Sequence, residues 1–202
     1  MGAAQPSERR LFIGLSVEEE SGRRLLRVVR PYLDQQAGGR AYEPEDLHLT
    51  LGFLGRFPES QRPFLQRVLQ EEIRGLEAPE LVLGSVGAFP SVEQPEAVWV
   101  GVREADDSPG RLWALRNRVW QAALSLGWRP PSGERRRSFR PHVTVARFTG
   151  AGCAEALDPR LLRSDLDQRW LPVDVHLWES RPDHHQERYR SLATVPLVVR
   201  PG

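Results

Sequence analysis

One short pattern constrains this 202-residue chain more than any other feature, because it occurs twice. His48-Leu49-Thr50-Leu51 and His142-Val143-Thr144-Val145 both read histidine, apolar, threonine, apolar, and they lie 94 residues apart. Side chains on a strand alternate between its two faces. His48 and Thr50 therefore share one face, with Leu47, Leu49 and Leu51 on the other. His142 and Thr144 likewise share a face opposite Val143 and Val145. The apolar faces call for helices packed beneath them, and the polar faces for a groove. If the two halves are related by pseudo-symmetry, two histidines and two hydroxyls converge in that groove.

The rest of the chain alternates between short strands and amphipathic helices. Strands are expected at Leu11–Val17, Leu47–Gly55, Glu80–Phe89, Ala97–Val102, Pro141–Phe148, Leu171–Glu179 and Tyr189–Val199. Helices are expected at Glu18–Gln36, Ser60–Leu76 and Pro109–Leu126, with a weaker one at Ala154–Arg163. Pro31 kinks or shortens the first helix, and Gly127 stops the third. Helices mixed with hairpin strands argue for an α+β fold rather than a doubly wound parallel sheet. No composition shift or long linker divides residues 1–202, so one domain is expected.

Composition removes several kinds of chemistry. The chain has 28 Lys plus Arg against 27 Asp plus Glu, a net charge of +1, too balanced for a general nucleic-acid binder. All 28 cations are arginine. With no lysine, a P-loop, a Schiff base and a lysyl-nucleotide intermediate are excluded. The single cysteine, Cys153, rules out an internal disulfide and a cysteine zinc cluster. It also makes the cytoplasm the natural compartment. No apolar run reaches the length of a membrane span, and Met1–Arg10 lacks a signal-peptide core.

Two facing imidazoles suit proton transfer near neutral pH, one acting as base and the other as acid. Phosphodiester chemistry fits such a pair. A base activates water, an acid protonates the leaving oxygen, and hydroxyl and arginine donors hold the phosphoryl oxygens.

At these residues the chain resembles the LigT-like two-histidine (2H) phosphoesterases, the RNA 2′,3′-cyclic phosphodiesterases also called 2′-5′ RNA ligases. The matching segments are RLFIGLSV, PEDLHLTLGFLG, VGAFP, AVWVGV, SFRPHVTVARF and LWESRPDHHQERYRSL, and they span the chain in order. The resemblance implies a bilobal α+β 2H phosphoesterase fold. In it two pseudo-symmetric lobes with antiparallel sheets surround a central cleft, with helices outside. One lobe would carry His48-x-Thr50 and the other His142-x-Thr144. It also implies hydrolysis of RNA 2′,3′-cyclic phosphate ends to a 2′-phosphate without metal or other cofactor. The carried-over roles are His48 as general acid, His142 as general base, and Thr50, Thr144 and Arg147 as phosphate contacts. The sequence itself leaves the direction of proton transfer open. The partner implied is an RNA end or a cyclic nucleotide, and a monomer is the default. The alternatives are the reverse reaction, 2′-5′ ligation, and a non-catalytic module that binds RNA ends or nucleotides.

Strand parity sets two further expectations. Arg147 has the opposite parity to His142, so a regular strand would point it away from the groove; a bulge or the strand end near Ala146 would turn it in, a side chain this long can also curl round an edge, and otherwise it is a solvated surface arginine. Phe53 lies five residues after His48 and falls on the core face, where packing outweighs base stacking. Arg135–Arg137 and Arg140 either guide an RNA end or form a solvated loop. His184 and His185, with His176, are poor metal ligands because adjacent histidines diverge. Tyr189 either helps close the cleft or, as the favoured reading, packs; the tryptophans read as core or rim, and Cys153 as inert.

Overall fold

The computed structural model describes residues 7–34, 38–106, 109–130, 138–148, 156–162, 165–182 and 187–200. In chain order its elements are β1 (Glu8–Ser16), α1 (Glu19–Leu33), β2 (Gly39–Ala41), β3 (His48–Pro58), α2 (Arg62–Ile73), β4 (Leu81–Pro90) and β5 (Pro95–Glu104). They continue with α3 (Arg111–Ser125), β6 (His142–Phe148), α4 (Pro159–Leu162), β7 (Asp165–Trp170), β8 (Asp174–Ser180) and β9 (Tyr189–Pro196). Every expected strand and the three long helices are present within a few residues at each described end; of the weaker helix expected at Ala154–Arg163 only Pro159–Leu162 is helical, and 154, 155 and 163 lie outside the described residues. Two short strands, β2 and β7, are additional. None of the helices among the described residues is long and apolar enough to cross a membrane.

Local chemistry accounts for the helix ends. Glu19 and Glu20 sit in the first turn of α1, where acidic side chains favour the helix dipole, and each pairs with the arginine four residues on, Arg23 and Arg24. Pro31 lies inside α1, which ends at Leu33, so proline shortens the helix rather than dividing it. The carboxylate of Glu104, at the end of β5, accepts from the backbone N–H groups of Gly110 and Leu112 at 3.0 and 2.6 Å. It thereby satisfies donors that the start of α3 leaves open.

Among the described residues the strands form one open, nine-stranded sheet in the order β7-β4-β5-β6-β3-β1-β8-β9, with β2 paired to β6. All pairings between these strands are antiparallel. The fold is thus α+β, as expected. The β1-α1-β3 unit on one side of the sheet's centre recurs as β5-α3-β6 on the other. The centre itself is narrow, because β3 and β6 meet through the single pair Leu49–Val143. One face of the sheet carries Leu11, Ile13, Leu15, Leu49, Leu51, Val98, Val100, Val143, Val145, Val175 and Leu177, all buried in the core. The helices cover this face: α3 packs on β3, α2 on α3 and β9, and α1 on β2, β6 and β7.

Strand β3 is irregular in a way that matters for the opposite face. Its pairing with β1 skips Leu51 and again Leu54, giving two bulges. A bulge leaves ladder groups without strand partners. Here the indole N–H of Trp120 donates to the Leu51 carbonyl at 3.1 Å, and that of Trp128 donates to the Leu54 carbonyl at 2.9 Å. Strand β6 has a matching irregularity, since Val98 pairs with Ala146 and Trp99 with Thr144, skipping Val145.

Close approach fixes Gly14 of β1. A Cβ there would lie 2.4 Å from the Leu49 carbonyl oxygen and 3.2 Å from the Trp178 ring. Gly14→Ala is therefore expected to force β1 away from β3 and to lower unfolding stability by about 3 kcal/mol, measured by urea denaturation.

Candidate active site

The face of the sheet opposite the core brings the two histidine motifs together. The pair Leu49–Val143 sets the register. In an antiparallel ladder it places Thr50 opposite His142 and His48 opposite Thr144. Each histidine thus faces the threonine of the other motif. All four side chains are partly exposed.

The two imidazoles are held in the same way. His48 Nδ1 lies 2.7 Å from the Asp46 carbonyl oxygen, and His142 Nδ1 lies 2.7 Å from the Arg140 carbonyl oxygen. A carbonyl only accepts, so in both rings Nδ1 carries the proton and donates. Nε2 is then the free nitrogen of each ring, able to take a proton when neutral and to give one when charged.

Aromatic rings wall each imidazole. His48 touches Phe12 and Tyr189 with centroids 4.8 Å away and Trp178 at 5.5 Å. His142 has Phe89 at 5.2 Å and Trp99 at 6.1 Å. Each tryptophan lies over a glycine, Trp178 over Gly14 and Trp99 over Gly87; a Cβ on Gly87 would sit 2.4 Å from the Trp99 ring. Burial among these rings penalises the charged imidazole. It lowers the His48 pKa from 6.5 to about 4, against the opposing pull of the Asp46 carbonyl; the charges of His142 and Arg147 lower it further. His142 is also held below 6.5, first by burial and then by Arg147, with the Arg140 carbonyl opposing.

Arg147 stands on this face as well. The bulge at Val145 reverses its parity, the first of the routes into the groove that the sequence left open. Its charge acts on both histidines. Its Nε donates to the Tyr42 hydroxyl at 3.0 Å.

The same logic corrects the expectation for Phe53. The bulge at Leu51 flips its parity, and it pairs with Phe12 on the groove side rather than joining the core. Phe53 is partly exposed, has the Arg10 guanidinium 5.0 Å above its ring, and lines a cavity of about 460 Å³ with Arg56 and Ser180. Position five after each histidine therefore emerges on the groove face in both motifs, as Phe53 and as Arg147.

Several contacts of the site carry no sequence signal of their own. Tyr42 follows β2, a three-residue strand with no periodicity to read. Tyr189, for which the sequence allows cleft closure as well as packing, stands edge-on to His48. Trp178 and Phe12 belong to alternating strands but do not announce which face they take. His176 is also on this face. Its ring stacks on Trp178 at 4.7 Å, with Ser16 Oγ 3.4 Å and Thr194 Oγ1 3.3 Å from its nitrogens. Among the described residues no three His, Cys, Asp or Glu side chains form a metal-binding group. Arg140 is exposed and contributes its carbonyl, while Arg135–Arg137, Cys153, His184 and His185 lie outside the described residues.

Comparison with known proteins identifies relatives of the chain and of its fold. Residues 17–184 match the family model described as the 2′-5′ RNA ligase superfamily. An RNA 2′,3′-cyclic phosphodiesterase of Archaeoglobus fulgidus is 34% identical over 138 residues, covering 68% of this chain and 72% of that protein. One from Aeropyrum pernix is 36% identical over 136 residues, covering 67% and 72%. Among solved structures, Escherichia coli LigT complexed with 3′-AMP superposes with a TM-score of 0.71 at 21% identity, covering 95% of this chain and 99% of that one. A structure from Thermus thermophilus gives 0.69 at 24% identity, covering 93% and 97%. At such identities these two structures speak to the fold.

The depressed His48 pKa has a consequence for stability. Between pH 6.5 and about 4 the unfolded chain binds a proton at this position that the folded chain refuses. Stability from this group is therefore complete above pH 6.5 and is lost as pH falls toward 4. His48→Gln is expected to flatten that part of the stability–pH curve, measured by urea unfolding at stepped pH.

Proposed function

The chain belongs to the 2′-5′ RNA ligase superfamily, and from that membership we propose how its groove works. It is an RNA 2′,3′-cyclic phosphodiesterase, and the duplicated, carbonyl-anchored histidine pair is the observation that carries the mechanism. The cyclic phosphate lies between the two Nε2 atoms. Thr50, Thr144 and Arg147 donate to its non-bridging oxygens. His142 takes a proton from water as the water attacks phosphorus. His48 gives a proton to O3′ as the P–O3′ bond breaks, and the product is a 2′-phosphate. Two proton-transfer groups and these donors complete the reaction without metal or other cofactor.

The unequal burial of the two rings suits these roles. His48 is the ring that resists charge more strongly, so once protonated it is the stronger acid. His142 keeps more of its basicity, as a general base needs. In the free enzyme burial keeps His48 neutral at pH 7, so the proton on His48 has to be stabilised by the bound phosphate anion. Both histidines come from one chain, which fits a monomer as the acting unit. Strands β3 and β6 meet through one pair, and we read the halves of the sheet on either side of it as two pseudo-symmetric lobes of a single domain. A soluble RNA end as substrate and a single cysteine fit a cytoplasmic enzyme.

The decisive experiment incubates a short RNA ending in a 2′,3′-cyclic phosphate with the protein in EDTA and reads the product by phosphorus NMR. A 2′-phosphate is expected. His48→Ala and His142→Ala should each reduce kcat by about 10²- to 10⁴-fold with the thermal midpoint retained. The double variant should lose little more than either single one, because the two act as a unit. Full activity in both single variants, or activity abolished by EDTA, would sink the mechanism.

The pH dependence supplies a second check. The acid limb and the base limb of kcat/KM report the two histidines of the free enzyme, and both are held below 6.5. The optimum of kcat/KM is expected on the acid side of pH 6.5, with activity falling as pH rises beyond it. An optimum above pH 7 would contradict this electrostatic reading.

A further inference from the structure

We propose that the Tyr42 hydroxyl is a direct donor to the substrate phosphate, aimed there by Arg147 and Tyr189; this rests on the reading of Arg147 as a phosphate contact. Protons and lone pairs at this hydroxyl do not balance within the protein. Arg147 Nε donates to the Tyr42 oxygen at 3.0 Å. The Tyr189 hydroxyl donates to the same oxygen at 3.5 Å. A phenol oxygen has two acceptor sites and one proton. With both acceptor sites taken, the Tyr42 proton is left over, and it has no acceptor among the described residues. Tyr42 is 6% exposed, so bulk water is a poor substitute. A buried hydroxyl proton without a partner is costly, and a ligand oxygen removes the cost.

The surroundings say what kind of ligand that is. Arg147 holds one side of the hydroxyl, and the Arg188 guanidinium lies 4.7 Å from the centre of the Tyr42 ring. Two cations beside a neutral donor select an anionic oxygen. Tyr189 bridges to the other histidine, with its ring edge-on to His48. Burial and the neighbouring Tyr42 raise the Tyr189 pKa well above the ordinary phenol value, so it stays protonated and remains a donor. The backbone fixes Tyr42 firmly, since its N–H donates to the Val145 carbonyl at 2.9 Å, beside the bulge that turns Arg147 into the groove. Tyr42 thus adds one donor to the phosphate cradle and locks the guanidinium that supplies the others. No bond is made or broken at the tyrosine; its hydrogen bond strengthens as charge builds on the phosphoryl oxygens in the transition state.

Tyr42→Phe removes the proton and keeps the ring. The expected result is a thermal midpoint unchanged in phosphate-free buffer, loss of the rise that inorganic phosphate gives the wild type, and a kcat/KM about 10- to 100-fold lower. In an Arg147→Ala background the same substitution should cost much less, because the two side chains act together. Tyr189→Phe, which only empties one acceptor site on Tyr42, should cost less than about threefold. Wild-type phosphate response and kcat/KM in Tyr42→Phe, with Arg147→Ala impaired, would overturn the proposal alone. Arg147→Ala without loss would overturn the underlying reading of the groove, and the proposal with it. A Tyr189→Phe loss as large as that of Tyr42→Phe would show that the free proton is not on Tyr42. If Tyr42→Phe lowers the midpoint without phosphate, the phosphate-induced rise, measured on the folded variant, still separates these outcomes.

Discussion

One pair of residues organises this molecule. Leu49 and Val143 are where β3 and β6 meet, and nothing else in the two strands pairs across that line. The pairing sets which residues of the two motifs oppose one another. Because it is so short, β6 is free beyond it to pair with β2, whose ladder runs from Gly39–Phe148 to Ala41–Ala146 and is continued by the Tyr42 N–H to the Val145 carbonyl. Leu49 and Val143 are fully buried, so their contact is anchored by the core beneath it and not by the polar groups above. The anchored carbonyls of Asp46 and Arg140 then complete the geometry, since each holds its histidine from the residue two places before it. Precision at the centre is thus a property of a few backbone atoms.

Alternation in the sequence makes the histidines, the threonines and the faces they share legible, because strand parity is a strong local rule. The same rule fails a few residues further along each strand. Phe53 and Arg147 lie beyond bulges, and an inserted residue reverses the parity of everything after it. Arg147 advertises the bulge because an arginine pointing into the core is untenable. Phe53 does not, because a phenylalanine reads equally well on either face. The strands β2 and β7 are invisible for another reason. GRA is too short to show a period, and DLDQRW is mostly polar; both are stabilised by the strand beside them and not by their own pattern. Tyr42 is lost to the sequence with β2, since its importance comes entirely from what β6 brings alongside it.

The electrostatics of the groove follow from its walls. Packing Phe12, Trp178 and Tyr189 around His48 gives it a fixed orientation and a low-dielectric setting, and the same packing strips it of charge. Arg147 acts in the same direction as the walls, because its charge opposes protonation of both histidines.

The two indole bonds to β3 reach further than their energies suggest. Trp120 belongs to α3 and Trp128 follows it closely, so the carbonyls that β3 leaves open at its bulges are met from the other half of the chain. In the opposite sense, α1, which follows β1, packs under β2 and β6. Each half therefore carries the template for the other's irregularities. A fragment ending before α3 would have no donors for Leu51 and Leu54, and its β3 could relax into even pairing with Phe53 turned inward. The bonds that hold β3 at its bulges therefore run between residues about seventy positions apart, and tie the segment before one histidine motif to the segment that carries the other.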